Sequence, residues 1–213
     1  MHKDQSLGRQ DLLIKHLGQT DYAETLELMQ SWTNKRTPTT PDECWITEHP
    51  PVFTLGQSAA KLHSTDKLHG IPLVKSDRGG QITYHGPGQI ILYLLIDLHR
   101  SSIKIKELVN KSEDLVIKFL RPHSINAHRR PAMPGVYVDD IKVSSIGYKI
   151  RHGRSYHGIS INYSMDMRPF SLIDVCGYAD LQATDLRSLG LAISYEQAVA
   201  ELEQLLTQLF IES

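Results

Sequence analysis

Hydrophobic residues recur at the three- to four-residue spacing of an amphipathic helix in three parts of the chain. The predicted helices are residues 22–32, residues 105–120, and a final helix whose apolar stripe runs from Val199 to Phe210. Asp21 and Glu24 form a capping box at the start of the first helix, and Ser194 with Gln197 caps the last one.

Shorter apolar runs between the helices predict strands. These are residues 11–17, 45–46, 52–55, 90–98 and three strands within 135–162. Residues 90–96 of the predicted strand 90–98 are continuously apolar, which is typical of a strand buried on both faces. Turns at 139–140 and 152–153 join the last three strands. Because hairpins prevail and helices do not alternate strictly with strands, we expect an α+β fold (α/β with a mixed sheet).

The composition indicates the number of domains and the cellular compartment to expect. The chain has 213 residues, a formal charge of −1 and 40% hydrophobic residues, which predicts one globular domain spanning 1–213. Cys44 and Cys176 are too few for a disulfide framework and point to a reducing compartment. Residues 1–10 are polar, unlike a secretory signal, and the longest apolar run has seven residues. We therefore expect a soluble, cytoplasmic protein.

The charges are unevenly distributed. Residues 118–154 hold eight basic and two acidic side chains, whereas residues 155–213 hold eight acidic and two basic ones. The basic segment could dock an acidic partner. Alternatively, the two segments lie side by side and compensate each other, and the sequence leaves both interpretations open.

The most unusual segment runs from Arg78 to Gln89 and reads RGGQITYHGPGQ. Its glycines flank a short β-prone stretch directly before the most hydrophobic strand. Glycine permits positive φ and close approach of a backbone or ligand, so the segment is either a substrate cradle or a strand between two tight turns. It is not a phosphate loop, because the nucleotide-binding glycine spacing and the following Lys-Ser/Thr are missing.

Cys176, followed by Gly177, is the candidate nucleophile, whereas Cys44 in a strand is expected to be a buried, inert thiol. A lone cysteine is more often structural, and its thiol needs a cationic or basic neighbour to react. The candidate activators are Lys142, His85 and His157. The strand pattern 141–147 predicts that Lys142 and Ser144 share a face. No Cys or His pairs have metal-ligand spacing, so no metal is expected.

Taken together, these segments resemble the lipoyl(octanoyl) transferases. The matching stretches are HPPVFT at 49–54, the run 78–89, PGVYV at 134–138, KVSSIG at 142–147, HGISIN at 157–162 and CGY at 176–178. They extend over most of the chain in the family's order. One departure is Val175, where the family usually has proline, a residue that shapes the loop and does no chemistry.

The resemblance implies the fold of the catalytic domain of biotin and lipoate ligases. It also implies transfer of an octanoyl or lipoyl group from acyl carrier protein, through a Cys176 thioester, to a lysine of a lipoyl domain. Lys142 would lower the thiol pKa and accept the proton of the incoming amine, and His157 and His85 would support this pair or position substrate. The implied substrate-binding residues are Arg78, Gly79, Gly80, Gln81, Ile82, Thr83, Tyr84, His85, Ser145, Ile146, Gly147, Gly158, Ile159 and Ser160.

The same resemblance implies the partners. The donor is octanoyl-acyl carrier protein, and the acceptors are lipoyl domains of 2-oxo acid dehydrogenases and the glycine cleavage H protein. No cofactor, nucleic acid or membrane is expected, and the chain is expected to be a monomer. Three alternatives stay open: an ATP-dependent lipoate or biotin ligase of the same fold, a thioesterase using Cys176 with a histidine base, and an inactive carrier-binding module.

Overall fold

The computed structural model describes residues 12–59, 66–173 and 182–210. Its helices are α1 (Tyr22–Lys35), α2 (Ile105–Leu120) and α3 (Tyr195–Phe210), with short 3₁₀ turns at Arg121–His123 and Arg168–Leu172. Its strands are β1 (Leu12–Gln19), β2 (Asp42–Glu48), β3 (Val52–Leu55), β4 (Lys67–Leu68), β5 (Ile71–Lys75), β6 (Ile82–His85), β7 (Gln89–Leu95), β8 (His128–Arg130), β9 (Met133–Val138), β10 (Ile141–Arg151) and β11 (Arg154–Asn162).

The larger sheet has seven strands in the order β1-β2-β7-β11-β10-β9-β8. Strands β1 and β2 are parallel, and the other neighbours are antiparallel. Strand β7, an inner strand between β2 and β11, is buried along its whole length. Its residues alternate between two cores: Ile90, Leu92 and Leu94 pack with α2 and α3, whereas Ile91 and Tyr93 pack with α1.

A smaller sheet has the strand order β4-β5-β3-β6, with β3 and β5 parallel. Its apolar side chains, including Phe53 and Tyr84, form a third core with Tyr137 of β9 and Phe170 of the second 3₁₀ turn. This packing places β6 and the segment before it over the open face of the larger sheet. The two sheets thereby frame the candidate site.

The structure confirms most of the predicted elements. The Asp21 side chain accepts hydrogen bonds from two backbone amides at the start of α1, and Ser194 and Gln197 cap α3 reciprocally. Both parallel and antiparallel pairs occur, which confirms the mixed α/β class. Strands β4, β5 and β8 were not predicted: β4 and β8 are too short to show a hydrophobic period, and β5 contains Pro72, which weighs against a strand. Among the described residues, no helix is long and apolar enough to cross a membrane.

Candidate active site

A narrow cavity of about 60 Å³ lies between the segment before β6 and the adjoining strands β7, β11 and β10. Nearly all of the predicted substrate-binding residues line it: Arg78, Gly79, Gly80, Gln81, Ile82, Thr83, His85, Ser145, Ile146, Gly147, Gly158, Ile159 and Ser160. Tyr84 is not among the lining residues. Its ring packs against Phe53 and Phe170 in the third core.

The floor of the cavity is backbone where two strands pair through glycine. Gly147 of β10 is directly opposite Gly158 of β11. A Cβ atom on Gly158 would lie 2.0 Å from the Leu92 carbonyl oxygen, so no other residue fits there. A Cβ atom on Gly147 would lie 3.1 Å from the Gly79 carbonyl oxygen on the opposite wall. The two walls therefore nearly touch at Gly147, which bounds the cavity on that side.

The wall opposite the floor, called the upper wall here, is the segment 78–83. Arg78 holds this wall in place and is only 8% exposed. Its Nη2 donates to the Thr54 carbonyl oxygen at 2.7 Å, to the Thr54 hydroxyl at 2.8 Å and to the Gln81 carbonyl oxygen at 2.8 Å. Its Nη1 donates to the Gly79 carbonyl oxygen at 3.0 Å. One guanidinium thus ties strand β3 to both sides of the glycine pair, which a planar fork of donors suits well.

Two buried histidines lie at the cavity: His85 lines it, and the His49 ring lies 5.9 Å from the His85 ring. The Nδ1–H of His49 donates to the Thr20 carbonyl oxygen at 2.7 Å, so its Nε2 accepts from the Tyr93 hydroxyl at 2.6 Å. His85 Nδ1–H donates to Gln89 Oε1 at 2.8 Å. Burial lowers the pKa of His49 and, more strongly, that of His85, where the neighbouring His49 and Arg78 add to the effect. Both imidazoles are neutral near pH 7.

His157 has an unusual backbone for a strand residue. In β11, Ile159 and Ile161 belong to the core under the helices, so strict alternation along the strand would turn the side chain of His157 toward the helices as well. Instead its φ is +61°, and its side chain lines the cavity beside Gly158. A left-handed conformation costs a non-glycine residue about 1–2 kcal/mol, and such strain concentrates at functional sites.

Asp77 holds the His157 ring. The Nε2–H of His157 donates to Asp77 Oδ1 at 2.8 Å, and the Tyr156 hydroxyl and Gln30 amide donate to the other carboxylate oxygen. Burial works against the charged carboxylate, but hydrogen bonds from His157 and Tyr156 outweigh it and lower the pKa of Asp77 to about 2. Burial also lowers the pKa of His157 despite this carboxylate. His157 is therefore neutral, and its buried Nδ1 has no hydrogen-bond partner among the described residues.

Lys142 lies at the start of β10 and is 2% exposed, so it is neither an edge nor a solvent-facing lysine. Its Nζ donates to the Pro134 carbonyl oxygen at 3.0 Å and lies 5.5 Å from the centre of the Tyr137 ring. A Cβ atom on Gly135 would lie 2.6 Å from Lys142 Cε and 3.1 Å from Nζ. Glycine at 135 therefore makes room for the ammonium group.

The prediction that Lys142 and Ser144 share a face is wrong. Lys142 pairs with Tyr137 of β9 and Ser144 with Val136, with a register shift between the two pairs. Tyr137 belongs to the core beside the cavity, whereas Val136 belongs to the core under the helices. Directly paired residues lie on the same face, so the β-bulge puts Lys142 and Ser144 on opposite faces.

Cys176 lies outside the described residues, and only its flanks can be placed. On one side, Lys142 N–H donates to the Gln182 carbonyl oxygen at 2.9 Å, and Thr184 N–H donates to the Lys142 carbonyl oxygen at 3.0 Å. On the other side, Ile173 packs against the core that contains Tyr137. Cys44 is 0% exposed, and burial raises the pKa of its thiol, which confirms the prediction of an inert cysteine.

The cavity is also lined by three residues that the sequence analysis did not suggest, namely Tyr22, Ile91 and Tyr93. Tyr22 stacks on His85, with ring centroids 5.6 Å apart. The signal for Tyr93 was its hydroxyl in an otherwise aliphatic buried strand, since a buried tyrosine needs a polar partner. Tyr22, at the first position of an amphipathic helix, carried no comparable signal.

The buried histidines predict how stability depends on pH. His49, His85 and His157 all have a pKa below the value of about 6.5 that they regain on unfolding. The unfolded chain therefore binds more protons, and stability falls as pH drops below about 6.5, by up to about 1.4 kcal/mol per pH unit for each histidine. Urea denaturation at pH 7.5, 6.5 and 5.5 would measure this loss of stability. These pH values lie above the range in which carboxylates titrate. A midpoint that stays constant or rises toward pH 5.5 would contradict it.

Solved structures define the fold class. A structure of lipoate-protein ligase A bound with ATP aligns with a TM-score of 0.76 at 13% identity, over 94% of this chain and 85% of that one. A biotin protein ligase from Aquifex aeolicus aligns with a TM-score of 0.57 at 14% identity, over 92% of this chain and 68% of that one. The chain therefore has the catalytic fold of these ligases.

Sequence comparison identifies the family. Residues 21–207 match the model of the lipoyl protein ligase A/B catalytic domain. An Octanoyltransferase from Dechloromonas aromatica (strain RCB) is 48% identical over 196 residues, which are 92% of this chain and 95% of that protein. The chain belongs to the lipoyl protein ligase A/B catalytic domain family, and it is an acyltransferase. The predicted resemblance to octanoyl transferases is thus confirmed.

Proposed function

We propose that this chain transfers an octanoyl group from acyl carrier protein to a lysine of a lipoyl domain, through a thioester on Cys176. The observation that carries the proposal is the cavity itself. Segments far apart in the sequence, 78–83, 145–147 and 158–160, meet around a cavity of only about 60 Å³, the room that a slender chain needs. Lys142 lies on the strand that supplies one wall of that cavity.

The reaction consists of two acyl transfers. The Cys176 thiolate attacks the carbonyl carbon of the donor thioester, a new C–S bond forms, the C–S bond to the carrier breaks, and the carrier sulfur leaves as a thiolate. The lysine amine of the lipoyl domain then attacks the same carbon, and the Cys176 thiolate leaves as the amide forms. The first step exchanges one thioester for another and the second runs downhill to an amide, so neither needs ATP.

Lys142 has two tasks in this scheme. As an ammonium group it favours the Cys176 thiolate, and as a neutral amine it accepts the proton that the attacking lysine loses. Its surroundings suit a group that must be held in place: the Pro134 carbonyl accepts one N–H, the Tyr137 ring packs against Nζ, and Gly135 leaves the space open. The flanks of residues 174–181, beside Lys142 and Tyr137, support the pairing with Cys176.

The acyl chain runs along the glycine-lined floor. Gly147 and Gly158 offer backbone instead of side chains, and the neighbouring Ile91 and Tyr93 supply an apolar surface. Tyr93 donates its hydroxyl to His49, so its polar atom is satisfied away from the chain. An alkyl chain gains from such a surface chiefly through the burial of its methylene groups.

The partners and setting are part of the proposal. The acceptors are lipoyl domains of 2-oxo acid dehydrogenases and the glycine cleavage H protein, modified in the cytoplasm by a single-domain monomer without a cofactor. Basic residues of the segment 118–154 dock these acidic proteins. The sequence left open whether residues 155–213 neutralise that segment. Arg129 instead pairs with Glu113 and Asp114, and Arg154 with Asp97, all of which precede residue 155.

Intact-protein mass spectrometry tests the proposal. The purified protein, mixed with octanoyl-acyl carrier protein without ATP, is expected to gain one octanoyl mass and to lose it when apo lipoyl domain is added. Cys176→Ala should gain none. Cys44→Ala is the matched control and should gain the full adduct, because the thiol of Cys44 is buried. An adduct that survives in Cys176→Ala, or transfer only from free octanoate with ATP, would overturn the proposal.

A further inference from the structure

One end of the cavity lies far from Lys142. The register of β10 with β11 shows which residue pairs lead to that end. The pairs Ser145–Ser160 and Gly147–Gly158 line the cavity in that order along β10, moving away from Lys142. The next pair is Tyr148 with His157. From Lys142 to Tyr148 is six residues of strand, about 20 Å, so His157 does not lie beside Lys142.

The cavity closes at the level of this pair. Gly79 N–H donates to the Tyr148 carbonyl oxygen at 2.9 Å, which joins the upper wall to β10. On the floor, the left-handed backbone of His157 turns its ring into the same end of the cavity. The ring is 1% exposed, and the side chain of Asp77 beyond it is 28% exposed. His157 thus separates the end of the cavity from solvent.

Two contacts keep the ring from moving out of this position. Asp77 accepts the His157 Nε2–H at 2.8 Å and is itself held by Tyr156 and Gln30. The Tyr156 ring stacks on the His157 ring, with centroids 5.0 Å apart. Because the His157 ring is hydrogen-bonded on one side and stacked on another, it cannot rotate away to make room for a longer acyl chain. A freely rotating side chain could.

The length of the cavity matches the proposed acyl group. From the Ser145–Ser160 pair, the lining pair nearest Lys142, to the Tyr148–His157 pair is three residues, or about 10 Å. An extended octanoyl group measures about 9 Å from carbonyl carbon to methyl, with C–C bonds of about 1.5 Å. This comparison rests on the proposed function, which places the carbonyl carbon at the Lys142 end.

We propose that His157, fixed by Asp77, is the end wall of the acyl channel and the residue that limits the length of the acyl chain to about eight carbons. It is a specificity-determining residue, acting by shape and not by proton transfer.

The test compares the kcat/KM values of His157→Ala with octanoyl, decanoyl and dodecanoyl carrier protein. Loss of the ring frees room for two or more methylenes, so the decanoyl-to-octanoyl ratio is expected to rise at least tenfold. The matched control is His152→Ala, because His152 also has a left-handed backbone (φ +51°) but lies exposed in the β10–β11 turn. Its ratio should equal that of the wild type. A merely structural role of His157 would lower all rates together and leave the ratio unchanged, which would overturn the inference.

Gly147→Ala provides a second test that does not depend on how His157→Ala folds. A methyl group there would lie 3.1 Å from the Gly79 carbonyl oxygen and would narrow the cavity one residue before the end wall, so the hexanoyl-to-octanoyl ratio of kcat/KM should rise at least tenfold. An unchanged ratio would place the chain end elsewhere and overturn the inference. If the wild type itself accepts no octanoyl group, the proposed function fails instead, and the two failures are distinguishable.

Discussion

Replacing Lys142 by methionine is expected to lower the rate of octanoyl transfer to lipoyl domain by about a thousandfold, within the range of a lost proton acceptor. Methionine keeps the length and the packing against Tyr137 but carries neither charge nor donor, so the Pro134 carbonyl loses its partner. Single-turnover kinetics would measure the loss. The matched control is Lys106→Met, an exposed lysine of α2 that lies outside both the cavity lining and the segment 118–154, which should retain wild-type rates.

Arginine at 142 would separate the two tasks of the lysine. Arginine stays charged under all ordinary conditions and cannot accept the proton of the amine. Lys142→Arg should therefore form the Cys176 adduct faster than Lys142→Met, yet transfer the octanoyl group onward equally slowly. Adduct formation and discharge can be followed separately by mass spectrometry. Full discharge in either variant would contradict the assigned role.

Replacing Arg78 by alanine is expected to lower the free energy of unfolding by about 3–5 kcal/mol, the range for breaking a buried charged hydrogen-bond network. The Thr54 and Gln81 carbonyls and the Thr54 hydroxyl would lose their donor in a place that water does not reach. Urea denaturation would measure the change. Lysine at 78 should rescue little, because one ammonium group cannot reach all of these acceptors.

A surface arginine supplies the comparison for Arg78. Arg168 makes several hydrogen bonds to Asp166, but its side chain is 90% exposed. Exposed pairs of this kind contribute little to stability, so Arg168→Ala should leave the urea midpoint unchanged. A similar midpoint for Arg78→Ala and Arg168→Ala would show that the Arg78 contacts do not hold the cavity wall.

The local elements could be predicted from the sequence because their signals are local. Helical periodicity placed all three helices, and the capping residues Asp21 and Ser194 marked the starts of α1 and α3. The end of α1 at Lys35 was missed, since its last turn is polar and carries no hydrophobic period. The three glycine-containing segments that line the cavity belong to the stretches 78–89, 142–147 and 157–162, which were recognisable in the sequence as motifs. The family comparison confirms the activity class that these motifs suggested.

The sequence by itself determined most of the elements, the mixed α/β class and the family, since periodicity, caps and motifs are properties of neighbouring residues. Only the tertiary structure decided which side chains meet. A bulge turned Lys142 away from Ser144, and a left-handed backbone turned His157 into the cavity. Tyr22 and Tyr93 joined the cavity through the packing of α1 on the sheet. Each of these outcomes depends on strand register or on contacts between distant segments. The alternation of side chains along a single strand gives no information about either.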